Sequence, residues 1–365
     1  MGEMMKWLNE WHPAFLMVAI NFALAIVNIL HKKVIDGGMD HLTLITYRLY
    51  ISVLVLAPMA YFLERRTRPK LTFRIVCLLF VSSILGYSYL FLVGLQNTTA
   101  TFICAFVNMV PVITFLMTLP FGLETVNMRS MSGNAKVLGT VVTVCGAMVL
   151  TLYKGMPLTN FSDPGETTAI HHSTINHINW LYPNNRTERW TIGTIALVIG
   201  TLLWSSWFLV QAKISKIYPC QYSSTALMCF LGAIQPTLFS LATNRQDFSP
   251  WVLKGKLQIL IVLYSGIVGS GLSFVGMSYC VKKRGPVFTA TFSPLIQIVV
   301  AMIGFSILDE PLHLGSVLGS ILIIVGLYIL LWGKNKEANA CVTKQIEDVK
   351  AHDEEDQVTA KVYHT

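Results

Sequence analysis

The sequence predicts an all-α membrane protein: ten transmembrane helices in two inverted five-helix repeats. Three observations predict it. Apolar residues make up 53% of the chain and charged ones 13%, too few charges to cover the surface of a soluble fold. The mean hydropathy is +0.57, and the apolar residues gather into blocks of roughly 20, the length that crosses a hydrocarbon layer of about 30 Å as a helix. Inside lipid a backbone N–H finds a partner only within its own segment, so each block reads as a spanning helix. Finally, the chain contains one long stretch twice. Val137-Leu138-Gly139 meets Val317-Leu318-Gly319 at a fixed spacing that also pairs Gly146 with Gly326, Leu150 with Leu330 and Lys154 with Lys334. Upstream, after a short slip, Pro111 meets Pro294, Asn108 and Thr114 fall on Thr291 and Gln297, and Ser82 and Gly86 fall on Ser265 and Gly269.

The first repeat occupies 13–153, after a short N-terminus at 1–12, with spans at 13–30, 42–63, 71–95, 100–123 and 136–153. Span one carries Asn21 and Asn28, seven residues apart and so on one helix face. It runs into His31-Lys32-Lys33 without a small-residue cleavage site, which argues against a secretory signal. Asp36-Gly37-Gly38 turns the chain into span two, where Arg48 is placed near the outer end. Span three has Ser82 and Gly86 at small-xxx-small spacing, which lets two backbones approach, and Tyr87 and Tyr89 follow as weaker lining candidates. Span four contains Pro111 and Pro120, and span five is a plain Gly-marked helix.

A long polar segment, 154–189, separates the halves and is expected to face outward. Asn160-Phe-Ser and Asn185-Arg-Thr are nominal glycosylation acceptors there. His171, His172 and His177 invite a metal reading, but with neither Cys nor paired carboxylates beside them a solvated loop is the better one. The second repeat occupies 190–333, with spans at 190–212, 221–243, 257–281, 286–308 and 313–332, and 334–365 reads as a disordered cytosolic tail. Five spans is an odd number, so the second copy enters from the opposite side. Inverted repeats of this kind characterise secondary transporters, with cargo near the midplane.

The net charge of +8 invites a nucleic-acid reading, but its distribution argues for orientation instead. With the N-terminus in the cytosol, the inner segments hold the clusters Arg65–Arg74 and Lys282–Arg284 and the tail lysines, more than twice the Lys and Arg of the outer loops. Both termini are therefore placed inside. None of the seven cysteines falls in an expected outer loop, so they read as apolar filler rather than a disulfide framework.

No soluble-enzyme signature is present: no Gly-rich phosphate loop with its Lys, no HExxH and no GxSxG. The glycines of Gly266-Ile-Val-Gly-Ser-Gly271 lie in an apolar span, where close helix packing explains them. The ionisable residues of the spans, Arg48, Glu124, Asp309 and Glu310, are placed at span ends. A midplane without a carboxylate to carry a proton favours facilitated diffusion over proton coupling.

What the interior offers is neutral polarity beside helix breaks. Asn108 and Thr114 flank Pro111; Thr291 and Gln297 flank Pro294. A mid-span proline frees a carbonyl, and broken backbone at membrane depth is tolerated only against protein or a water-filled cavity. Two readings stand, a binding site or inherited packing kinks. Trp204, Trp207 and Gln211 form one stripe of span six, either lining a cavity or, for the tryptophans, anchoring at the interface. Asn21 and Asn28 would complete a neutral lining or make structural interhelical bonds. Tyr279 is a weaker candidate.

At these residues the chain resembles a known family. Asn108–Phe115 (NMVPVITF), Thr151–Pro157 (TLYKGMP), Tyr218–Gln235 (YPCQYSSTALMCFLGAIQ), Arg284–Pro294 (RGPVFTATFSP) and Gly315–Lys334 look like the plant Walls-Are-Thin-related, nodulin-like transporters. These belong to the drug/metabolite transporter superfamily with its EamA-type repeats. The resemblance covers residues 13 to 334. It implies a facilitative, bidirectional carrier of amino acids or related small organic solutes. The membrane would be the plasma membrane or, in some members, the vacuolar one. Some relatives move the indole auxin, which makes an indole acid or other aromatic organic anion the alternative cargo. By similarity the cavity draws on spans one, three, four, six, eight and nine, and puts forward Asn108, Thr114, Trp207, Gln211, Thr291 and Gln297. Partners are then a small-molecule substrate and the lipid bilayer, with no nucleic acid, no cofactor and room for a homo-oligomer. Two departures, Pro120 and Asp309-Glu310-Pro311 in place of the usual Gly-Glu, touch gating rather than fold.

Overall fold

The structure, a computed structural model, describes residues 2–36, 38–86, 90–98, 100–123, 130–153, 186–243, 251, 253, 255–307, 314–315 and 317–337. Tyr87, Tyr89, Glu124, both sequon asparagines (Asn160 and Asn185), the three loop histidines, Asp309-Glu310-Pro311 and the acidic residues Asp353–Asp356 of the tail lie outside them.

Every described element is helical. In chain order they are α1 Gly2–Asp36, α2 His41–Glu64, α3 Phe73–Gly86, α4 Leu90–Asn97, α5 Ala100–Thr118, α6 Met131–Leu152, α7 Arg186–Ile217 and α8 Gln221–Thr243. Then come α9 Lys256–Tyr264, a π-helical segment Ser265–Leu272, α10 Ser273–Arg284, α11 Pro286–Thr291 and α12 Leu295–Ile307, and finally α13 Val317–Glu337. Among the described residues, seven helical runs are long and apolar enough to cross a membrane, and Phe73–Gly86 and Phe102–Thr118 are shorter apolar helices. Each of the ten expected blocks contains helix; ten crossings remain the expectation of the sequence.

Helix ends follow local chemistry. Asp40 caps α2, its Oδ2 accepting from Thr43 N at 2.9 Å and Thr43 Oγ1 at 3.0 Å; Ser130 caps α6 by accepting from Gly133 N at 3.1 Å. The α10–α11 corner is Gly285-Pro286. Gly285 has φ 89°, open to a residue without Cβ, and proline follows at the first helical position. Pro120 stands beyond the end of α5, in a turn whose Gly122 has φ 62°. It therefore ends the helix rather than kinking it.

One end of the bundle is tied by a chain of polar bonds and is called the tail face, because α13 finishes there. Glu64, at the end of α2, accepts from the backbone N–H of Tyr222 at 2.9 Å and of Ser223 at 2.7 Å. It thereby caps α8 from a different helix. Arg68 donates to Ser223 Oγ at 2.9 and 3.2 Å, Lys282 donates to the Pro219 carbonyl at 3.2 Å, and buried Lys136 pairs with Glu337. Arg284 donates to Asn335 Oδ1 at 3.0 Å, and Lys334 to the Arg284 carbonyl at 3.2 Å. In the same corner, burial first and the Glu64 charge second push the Cys220 thiol up. Its thiolate is disfavoured at neutral pH, in keeping with a packing role.

The duplicated glycines explain how α6 and α13 meet. A Cβ on Gly139 would lie 2.6 Å from Leu330 N and 2.8 Å from Gly326 O; one on Gly319 would lie 2.6 Å from Leu150 N and 2.7 Å from Gly146 O. The two contacts exchange partners under the sequence repeat, as a pseudo-two-fold axis requires. The glycines of the Gly266–Gly271 stretch pack likewise. Gly266 faces Ile51 and the Arg48 carbonyl, and Gly269 faces Val27. That stretch is also the π segment, with Ser273 Oγ donating to Val268 O at 2.7 Å, a distortion that the apolar pattern does not announce.

Candidate functional site

Between the repeats lies a cavity of about 280 Å³. Its wall takes Met17, Asn21 and Leu24 from α1, Gly86 from α3, Val107 and Val110 from α5, and Trp204 and Phe208 from α7. Gly269 of the π segment, Phe274 and Met277 of α10, Thr289 of α11, Ser293, and Ile296 of α12 complete it on the far side. These are the six spans that the family resemblance implies. A seventh contributes Arg48 of α2. This corrects the expectation that ionisable residues stay at span ends and that the pocket holds no fixed charge. Arg48 stands two turns inside α2, deep enough to face the cavity.

An aromatic wall dominates one side. Trp204 stacks on Trp207, with ring centroids 5.4 Å apart and 18° between planes. Phe274 meets both edge-on, at 6.3 and 5.4 Å, and Phe208 does so at 6.1 and 5.0 Å. Only Trp204 of the tryptophan pair reaches the cavity. Trp207 is fully buried behind it, donates Nε1 to Met228 Sδ at 3.4 Å and lies against Gly86, where a Cβ would come within 2.9 Å of its ring. Gln211, one turn on, is engaged away from the cavity wall: Nε2 donates to Ser278 Oγ at 2.5 Å and Oε1 accepts from Ser82 at 3.5 Å.

None of the four proline-flanking residues is in the cavity wall, and two of them meet each other. Asn108 Nδ2 donates to Gln297 Oε1 at 3.2 Å and Gln297 Nε2 returns a bond to Asn108 Oδ1 at 2.9 Å. Thr151 joins the pair at 3.0 and 3.2 Å. Thr291 bonds its own helix at Val287 O, 2.7 Å away, and Thr114 is buried. Of the two span-one amides, Asn21 is 1% exposed and lines the cavity, with Nδ2 on Met17 O at 2.6 Å and Oδ1 left to accept. Asn28 is exposed and outside the cavity wall.

The prolines act differently. Pro111 sits inside continuous α5 and deprives the Val107 carbonyl of its helical donor, and Val107 lines the cavity. Pro294 separates α11 from α12, and the chain crosses the gap by turn bonds, Ser293 N to Ala290 O at 3.0 Å and Leu295 N to Phe292 O at 3.0 Å. That break turns Ser293 into the wall. Arg48, Thr289 and Ser293 were absent from the expected lining. The first was masked by its nearness to a span end, and the others by the unforeseen break.

The arrangement offers a cation, an aromatic shelf and neutral acceptors, with no Asp or Glu among the described lining residues. The EamA-like transporter family model matches the chain twice, over 12–152 and 191–332. The chain belongs to the EamA-like transporter family. Three WAT1-related proteins of Arabidopsis thaliana are 52%, 46% and 41% identical to it. The matches span 92%, 89% and 91% of this chain and 90%, 87% and 89% of theirs, which places it in the plant WAT1-related branch. A solved crystal structure shares the fold of this EamA-like transporter at TM-score 0.63, with 15% identity over 88% of this chain and 96% of that one.

Proposed function

We propose that this transporter is a facilitative, bidirectional carrier of amino acids and related small carboxylic acids, working by alternating access across the central cavity. Arg48 in the wall of an otherwise neutral cavity carries the reading: its guanidinium is suited to hold the cargo carboxylate. Asn21 Oδ1, the Val107 carbonyl and the Ser293 hydroxyl are acceptors for an ammonium group. The lack of a lining carboxylate among the described residues supports uncoupled movement, because a proton pathway through lipid usually needs one. By the distribution of basic residues, both termini face the cytosol; the plasma membrane is the proposed location, the vacuolar membrane the alternative.

A second cargo reading, an indole acid or other aromatic monoanion, is favoured by the Trp204–Phe274 wall beside Arg48, which would stack a ring and pair an anion while asking for no ammonium. One assay separates these. Purified protein in liposomes equilibrates labelled neutral amino acids without an imposed proton gradient, and indole acids are titrated against glutamine. Uptake that appears only with a gradient rejects uncoupled movement. Uptake of indole acid with no glutamine flux selects the second cargo.

A further inference from the structure

Away from the central cavity, a groove of about 560 Å³ runs down the outer surface between α6 and α13. Met131, Asn134 and Leu138 form one wall, and Tyr328 and Trp332 the other. These side chains are open to the surroundings: Met131 is 67% exposed, Leu138 55% and Tyr328 63%. The floor cannot close by helix sliding, because the Gly139–Gly326 and Gly146–Gly319 contacts already bring backbone against backbone. At the tail-face end stands Lys336, its ammonium 5.0 Å above the Trp332 ring and 3.3 Å from Met131 Sδ. The neighbouring Lys136 is turned inward on Glu337, so among the described residues Lys336 is the cation that faces the groove mouth.

We propose that this groove is a binding site for an anionic phospholipid of the tail-face leaflet, with an acyl chain along Leu138 and Tyr328 and the phosphate at Lys336 and the Asn134 amide. Depth and charge together select this occupant. A groove on the membrane-facing side of a spanning helix pair is filled by acyl chain unless another protein covers it. The Trp332 ring marks the height of the headgroups, and a lysine at that height is worth about fivefold in preference for an anionic over a zwitterionic lipid. Among the described residues, Lys336 meets a soft sulfur and a ring, whereas a phosphate would offer it an anion.

The test is native mass spectrometry of the full-length protein in detergent, titrated with phosphatidylglycerol or with phosphatidylcholine of the same acyl chains. A one-to-one phosphatidylglycerol adduct preferred about fivefold is expected. Lys336→Gln should abolish the preference, and Leu138→Trp, which fills the groove from an already exposed position, should weaken binding of both lipids. Equal binding of the two lipids to the unaltered protein overturns the proposal. So does a preference that survives Lys336→Gln, so does binding of both lipids undiminished by Leu138→Trp, and so does a dimer that Leu138→Trp dissociates, which would make a second copy the occupant.

Discussion

Arg48 decides what the cavity can hold. A guanidinium facing an aromatic, largely apolar wall pairs with a carboxylate in two parallel bonds, and such charge-assisted bonds contribute about 1.5–3 kcal/mol each. Arg48→Gln is therefore expected to weaken carboxylate-bearing cargo by roughly tenfold or more, read as a raised half-saturation in liposome uptake. Arg48→Lys should recover only part, since a point charge cannot make the paired contact. Unchanged affinity in both variants would remove Arg48 from the site. The neighbouring amide pair calls for a different measurement. Asn108 and Gln297 bond reciprocally across the repeats at 3.2 and 2.9 Å, and bonds of this kind in membranes couple by about 0.6 kcal/mol, at most about 1.7. A double-mutant cycle with Asn108→Leu and Gln297→Leu in thermal unfolding should return a coupling in that range. At this scale the sequence was half legible. It singled out Asn21 and Trp204, which reach the cavity, and Asn108 and Gln297, which matter by bonding each other. It put Arg48 at a span end, because a hydropathy block reports depth to within a turn or two and says nothing about rotation.

Elements were read more reliably, for a physical reason. A helix buried in lipid must be apolar along its whole length, so its existence is written in composition; its defects are not. Both prolines were visible, yet Pro111 lies within continuous α5 while Pro294 parts α11 from α12. The difference comes from the turn bonds around Phe292 and Ser293, which no residue pattern displays. The π segment Ser265–Leu272 was equally hidden, although its glycines were read correctly as packing residues. The sequence marked these glycines as a repeat without pairing the two helices, and their mutual close approach is what makes the α6–α13 seam. It should also be unforgiving: Gly139→Val or Gly319→Val drives side chain into backbone already within 3 Å of the missing Cβ. Overpacking of this sort costs about 1–3 kcal/mol, expected as a clear drop in melting temperature in detergent. Val141→Ala, at an exposed position of the same helix, should change little.

Over the whole molecule, contacts come in exchanged pairs. Gly86 lies against Trp207 as Gly269 lies against Val27, and the Gly139–Gly326 contact is answered by Gly319–Gly146. The sequence repeat carries Gly86 onto Gly269 and Gly139 onto Gly319, and the Gly139–Gly326 contact is the Gly319–Gly146 contact with the copies traded. The cavity wall, in contrast, is uneven: α7 gives it bulky Trp204 and Phe208 where α1 gives Met17, Asn21 and Leu24. Under the alternating-access reading, rocking exchanges the conformations of the copies while the aromatic shelf and Arg48 stay on their own sides of the cargo. The cargo would then keep one orientation relative to the cavity and be released to either side. Such an exchange requires the two copies to be inverted, and inversion with five helices each puts both chain ends on one side. Fluorescence or protease access to tags fused before Gly2 and after Thr365, in sealed vesicles of known orientation, should report the two tags together on the cytosolic side. The tail-face bonds make the same demand from within: the Lys136–Glu337 pair joins the start of α6 to the end of α13. Tags found on opposite sides would remove the inversion, and with it the exchange that lets one cavity serve both faces of the membrane.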